Sequence, residues 1–181
     1  DMSTFMAGIL TEADVARLLT DRSPDTRVST AEKIATEFSK GNLSQRERTL
    51  AVEIFRLMMQ DAETRVRQAL AQELKACPYL PHELATLMAH DVEQVAVPVL
   101  QFSAVLTDAD LVDIVETLNR SKQRAIAKRS RVSAAVSAAL VDHGDSEVVI
   151  ELLRNTGATI EEPALIQAVQ KHGGDEAVMR P

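Results

Sequence analysis

The sequence holds a single cysteine, no tryptophan, one tyrosine and four phenylalanines, and each shortage excludes something. A lone Cys77 can close no internal disulfide and build no thiolate-rich zinc site, and it fits a reducing compartment. With so few rings the core has to be aliphatic. Ala, Leu and Val dominate, as suits helices packed at close range. Six Gly and six Pro in 181 residues leave few tight turns and little linker. No apolar run approaches the ~20 residues that cross a bilayer, and the N-terminus lacks a signal-peptide pattern. The expectation is therefore a cytoplasmic protein with no membrane partner. A Gly-rich phosphate loop is missing as well, so no nucleotide fold is indicated.

What is present is globular. Acids outnumber bases, 27 to 20, for a formal charge of −7. That balance disfavours polyanions as the main partner, although a local basic patch escapes a whole-chain sum. The chain is 45% hydrophobic and 26% charged, with both signs interspersed, as in ordinary folded domains. Its length suits one domain or one compact repeat array, which buries roughly 70% of the unfolded chain's surface.

Helix starts are written clearly. Thr11 to Asp14 reads as a capping box, with Leu10 and Val15 placed as a hydrophobic staple. The device recurs as Leu106, Thr107 to Asp110 and Leu111. The two segments, ILTEADVARLL and VLTDADLVDIV, match in phase and mark an internal repeat. Ser44 and Glu47 form a further box, opening a helix whose Leu50, Ala51, Ile54, Phe55 and Met58 share one face. Pro81 is expected in the first turn of the next helix, where a missing N–H costs nothing. Its apolar stripe is Leu84, Leu87 and Met88. The helices end in turns at Asp21, Asp61, Asp91 and Asn119, with Asp145 after a later helix. Each of these side chains is expected to cap the helix that follows.

The pattern predicts an all-α, HEAT-like α-solenoid of about five antiparallel helix pairs plus a terminal helix. The pairs are 11–20 with 25–39, 44–60 with 62–76, 81–90 with 92–102, 107–118 with 121–129, and 132–142 with 146–155. A final helix over about 161–172 follows the stop at Asn155 to Gly157. Pro98 should kink the second helix of the third pair or restrict it to a short piece. No strand is expected, since Val148, Val149 and Ile150 run on through Leu152 and Leu153 as a helical stripe. Asp1 before Met2 reads as a residue left by a tag. The domain organisation is thus 1–8 as lead-in, 9–173 as one repeat domain and 174–181 as a tail, the whole being the N-terminal part of a longer protein.

Asp61, Val66, Arg67, Ala69 or Leu70, and Leu74 resemble the second-helix signature of HEAT repeats. More widely, LTEADVARLL, RVRQALAQEL, VAVPVL, AIAKR and LLRNTGA succeed one another in a familiar order. Over roughly residues 9–160 the chain resembles an uncharacterised, mainly alphaproteobacterial domain-of-unknown-function family (family 2336) with HEAT-like helical repeats. The resemblance implies a bacterial cytoplasmic repeat protein of about twice this length. It implies no activity, so it brings no site residues and no cofactor.

Direct chemical signals are sparse. His82, His90, His143 and His172 form no zinc-binding pair, because Thr86 stands where a second histidine would be needed, and a metal site needs three or four converging ligands. They read as exposed turn histidines. Cys77 lies on an apolar stripe with no histidine beside it, as a buried inert thiol does. The paired acids Asp108/Asp110, Asp113/Glu116 and Glu161/Glu162 are explained mostly by first-turn dipole effects. No catalytic, metal or cofactor residue is assigned, and an enzyme is not expected.

The exception is basic. RSKQRAIAKRSR, from Arg120 to Arg131, holds six cations and no acid. On a helix Arg120, Arg124, Lys128 and Arg131 would form one stripe, with Ala125 and Ile126 turned to the core. Such a stripe suits phosphates or an acidic protein surface. It could equally be a solvated face paired with the acids of LTDADLVDIVE. The leading expectation is a protein-interaction scaffold or regulatory binding module of unknown partner. Its contacts are expected at Arg65, Arg67, Gln68, Arg120, Arg124, Lys128 and Arg131. The alternative is nucleic-acid (DNA) binding or repair, since some bacterial DNA glycosylases are built from similar repeats. The absence of Trp and the acidic balance disfavour it. A third reading is a regulatory module inside a larger signalling protein.

Overall fold

The computed structural model describes Thr20 and residues 23–180. Their helices, in chain order, are α1 (Pro24–Ser39), α2 (Gln45–Met58), α3 (Thr64–Leu74), α4 (His82–Ala89), α5 (Glu93–Phe102), α6 (Asp108–Glu116), α7 (Arg120–Ala127), α8 (Ala134–His143), α9 (Ser146–Leu153), α10 (Glu162–His172) and α11 (Glu176–Met179). The expected first helix up to residue 19, its Thr11 cap, the Leu10/Val15 staple, the first copy of the internal repeat and Asp21 lie outside the described residues.

Local chemistry sets most of the starts. Ser23, Ser44, Asn119, Ser133 and Asp145 each accept a backbone N–H of the first turn they precede. Thr107 and Asp110 complete a reciprocal capping box at α6, satisfying donors that the helix itself cannot. Pro81 stands one residue earlier than expected. It is the N-cap of α4 and not part of its first turn, and its carbonyl accepts from Leu84 and Ala85. Pro98 lies inside α5, which is an unbroken ten-residue helix. The half-buried ring leaves the Gln94 carbonyl without its helical donor, on a face that water reaches.

The helices stack in two layers. α1, α3, α5, α7 and α9 pack each against the next without interruption, and the single turn of α11 closes on α9. In the other layer α6, α8 and α10 pack closely, whereas α2 is held by α1 and α3 and α4 mainly by α5. The core between the layers is aliphatic. Ile34, Leu70, Leu74, Leu84, Met88, Leu100, Ile114, Ile126 and Leu140 are fully buried. Truncating one such side chain to Ala typically costs about 2–5 kcal/mol. Two of the few rings, Phe38 and Phe55, meet edge to face at 5.2 Å between α1 and α2.

The ends of the second-helix layer are tied as well. Ser39 donates to the Glu73 carbonyl at 3.3 Å, and Lys75 lies 4.8 Å from the centre of the Phe102 ring. Arg129 donates to the carbonyls of Leu100 and Ser103, both at 2.7 Å. Asn155 donates to those of Ala127 and Arg129, also at 2.7 Å. The helix C-termini thereby satisfy carbonyls that would otherwise be orphaned. The only β-type pairing among the described residues is an isolated parallel bridge between Val132 and Ala158. Within the segment expected as a tail, 174–181, residues 176–179 form α11, whose Val178 is buried against α9 and α10. It belongs to the folded unit because one apolar side chain anchors it.

One turn is conformationally strained. Leu118 has φ of +63° and is 66% exposed. A left-handed leucine costs roughly 1 kcal/mol, and here no burial offsets that cost. Leu118→Gly is expected to raise stability by about 0.5 kcal/mol, after allowance for the freer unfolded chain. A urea titration showing a clear loss of stability would mean that the exposed side chain makes contacts of its own.

Candidate functional site

The polar residues of the stack sort by their position after the helix cap. Arg27, Arg67 and Gln123 each stand four residues after an N-cap, at Ser23, Glu63 and Asn119. From there each reaches the turn of the next pair. Arg27 grips the Asp61 carboxylate through Nε at 2.7 Å and Nη2 at 3.2 Å. Arg67 grips Asp91 through Nε at 2.8 Å and Nη2 at 3.0 Å, while its Nη1 donates to the Asp61 carbonyl at 2.6 Å. Gln123 donates to the carbonyls of Val115, at 2.8 Å, and His143, at 3.4 Å. At the equivalent place in α5 stands Ala96, which has no head group to offer. There the contact runs backwards, with buried Lys122 donating to the Ala89 carbonyl at 3.0 Å. Asn119 donates to Glu93 at the same junction.

This arrangement corrects two expectations. Asp61 and Asp91 are not N-caps; Glu63 and Val92 hold those places. The two carboxylates fall before the cap and are taken by Arg27 and Arg67, although each also accepts a turn N–H. Only Asn119 and Asp145 cap as expected. Arg67, expected to face a partner, is only 14% exposed, and all three nitrogens of its guanidinium donate to the two turns. Burial works to raise the Asp61 and Asp91 carboxyls. Their arginine and backbone hydrogen bonds outweigh it and hold both below the usual carboxylate range.

Arg65 and Gln68 do lie at the surface. They border a shallow groove of about 250 Å³ between α1 and α3, with Val28, Glu32 and Gln72. Arg65 stands 3.2 Å from Asp25 and 3.3 Å from Glu63.

The basic segment divides. Arg120, Arg124 and Lys128 follow the exposed edge of α7, but Lys128 is its C-cap and Arg131 lies beyond the helix. Arg131 is therefore not part of the stripe. It borders a separate open groove of about 600 Å³ with Asp108, Ser130, Ser133 and Thr159. The stripe's acids come from α9 and its cap, not from LTDADLVDIVE. Arg120 meets Asp145 at 2.5 Å and Glu147 at 3.5 Å, and Glu151 lies 3.8 Å from Arg124 and 3.7 Å from Lys128. These acids were visible as an i, i+4 pair, Glu147 and Glu151, on the next helix. Sequence alone does not show that the two helices lie side by side. The seven candidate residues thus form two surface groups, Arg65 with Gln68 and Arg120 with Arg124 and Lys128, while Arg67 and Arg131 stand apart.

His82 and His143 have carboxylate neighbours. His82 Nε2 is 2.6 Å from Asp110, and His143 is 3.3 Å from Asp142. Cys77 is buried in the turn after α3. Among the described residues no three His, Cys, Asp or Glu side chains cluster as metal ligands would, and no helix is long and apolar enough to cross a membrane.

Geometry defines the class: an all-α protein of helix pairs stacked in two layers, joined through their turns by guanidinium–carboxylate contacts. The model of a family described as an uncharacterised protein conserved in bacteria, DUF2336, matches residues 95–181. Over that stretch, from α5 onward, the chain is similar to this family. The match is shifted towards the C-terminus from the 9–160 over which the resemblance was read. Searches among curated proteins and solved structures found no match.

Two outcomes follow from the turn contacts. Arg67→Ala leaves the half-buried Asp91 carboxylate without its bidentate partner and should cost about 2 kcal/mol. Arg65→Ala should stay within about 0.5 kcal/mol. Equal costs in chemical denaturation would show that Arg67 is not a structural joint. Asp61 and Asp91 titrate lower in the folded chain than in the unfolded one, so the unfolded chain binds protons first on acidification. Their contribution is complete above about pH 5 and drains away as the pH falls through the lowered folded values. The slope of stability against pH below about pH 4 should be shallower in Arg67→Ala than in the parent. Parallel slopes would remove Asp91 from the account.

Proposed function

We propose that this domain is a HEAT-like, cytoplasmic protein-interaction module, whose partner lies along the exposed side of the second-helix layer. The observation that supports the reading most is the unbroken packing of α1, α3, α5, α7 and α9. A stack of this kind turns separate helices into one extended surface. Its outward side chains include Arg65, Gln68 and Gln72 on α3, Gln94 on α5, and Arg124 at the edge of α7. Lys128 follows at the end of α7, and all of these are exposed or half-exposed. The surface is polar and of mixed sign, as the rims of protein interfaces are. Asp145, Glu147 and Glu151 offset the cations of the stripe, which favours a protein partner over a nucleic-acid backbone.

The test is capture from bacterial lysate, with and without nuclease, by the parent, by Arg65→Glu/Gln68→Glu and by Arg124→Glu/Lys128→Glu. Circular dichroism would confirm that each variant is folded. A discrete protein that survives nuclease and is lost with either double variant is expected. Retention abolished by nuclease would replace this reading with nucleic-acid binding. Capture unchanged in both variants would remove the second-helix face as the site.

A further inference from the structure

The loops that follow α7 and α9 meet as two extended segments, and one of them keeps a free edge. Val132 donates its N–H to the Gly157 carbonyl at 3.2 Å, and its own carbonyl accepts from the Thr159 N–H at 2.8 Å. These two bonds make the isolated parallel bridge. Gly157 permits the close approach, since a Cβ there would fall 1.9 Å from the Ser130 carbonyl oxygen. Along a strand, successive residues aim their backbone groups to opposite sides. Arg131 and Ser133 therefore turn theirs away from the 157–159 segment. The Arg131 carbonyl and the Ser133 N–H form no hydrogen bond among the described residues. A residue laid beside Val132 on that side would meet them with the same two bonds that Val132 makes to Thr159 and Gly157. An unpaired edge of this kind is a template for a further strand.

The space beside the edge is open and charged. Residues 130–133 wall the groove of about 600 Å³, together with Gly157, Thr159 and Asp108 at the start of α6. That volume lies within the roughly 300–1,000 Å³ of ligand sites. Arg131 and Asp108 are both exposed, and neither forms a hydrogen bond or ion pair with a described side chain. The buried Arg129 attracts Asp108 only at longer range, because its guanidinium is taken by the carbonyls of Leu100 and Ser103. Two unpaired charges of opposite sign on one groove select a ligand that carries both, and Asp108 repels a polyanion. We infer that this groove binds an extended peptide segment as a third strand beside Val132, with an acidic side chain for Arg131 and a basic one for Asp108. Main-chain bonds would hold the peptide and the two charges would choose it. The site is separate from the second-helix face and does not depend on it.

The probes are fluorescent hexapeptides of alternating Thr and Val, in which one Glu and one Lys are placed at every pair of positions in turn. Fluorescence polarisation is expected to find members of the set that bind. In the isotope-labelled chain, a bound peptide should protect the Ser133 amide from hydrogen exchange. Arg131→Glu and Asp108→Lys change exposed side chains without partners, so both should keep the helical signal. Each should weaken binding about tenfold or more. The double variant should instead select peptides in which Glu and Lys have changed places. No binding up to about 1 mM peptide would overturn the proposal. So would binding that leaves Ser133 exchange unchanged, or binding that inorganic phosphate alone displaces, which would make Arg131 a simple anion site.

Discussion

The structure depends on one recurring contact, in which an arginine four residues into a second helix holds the carboxylate in the next pair's turn. Apolar packing drives the helices together, but dispersion between aliphatic side chains has little directional preference. Leu, Ile and Val alone would allow neighbouring pairs to slide or rotate by several degrees at small cost. Arg27 on Asp61 and Arg67 on Asp91 remove that freedom, because a planar guanidinium matched to a carboxylate through two hydrogen bonds fixes orientation as well as distance. The contacts are half-buried, so water screens them less than the looser surface pairs of Arg65 or Arg120.

That constraint divides the polar residues of the chain into two populations. Arginines at the inner edge of the turns serve the fold, and those one helical step further round remain for solvent or a partner. Arg65 and Arg67 are two residues apart and belong to opposite sides of the division. The family match from residue 95 onward covers the part of the stack in which both layers are closely packed. The second-helix layer continues unbroken on the N-terminal side of that match.

Much of this was legible in the residues. Ser44, Thr107, Asn119 and Asp145 announced helix starts through local hydrogen bonding, which depends only on neighbours in sequence. The number and order of the described helix pairs followed from the same signals. What could not be read were relations between elements. Arg67 and Arg65 look alike in RVRQAL, and only the placement of Asp91 separates them. The acids opposite Arg124 and Lys128 lie on the next second helix and not on the preceding first one. α11 escaped notice because four residues carry too little periodicity, and its attachment rests on the single side chain of Val178.

The rung at Ala96 has a geometrical consequence. A bidentate contact transmits the rotational phase of one pair to the next, whereas an ammonium group is a single point of attachment that constrains length and leaves rotation about itself free. With Lys122 in place of an arginine, the junction between the third and fourth pairs is positioned without being keyed by a fork. On the N-terminal side of α5, successive pairs are therefore joined by guanidinium forks. Beyond it, they are joined by aliphatic packing, by the amide of Gln123 and by the carbonyl contacts of Arg129 and Asn155. A single stack thus contains two ways of joining its pairs, and the change from one to the other falls at one alanine.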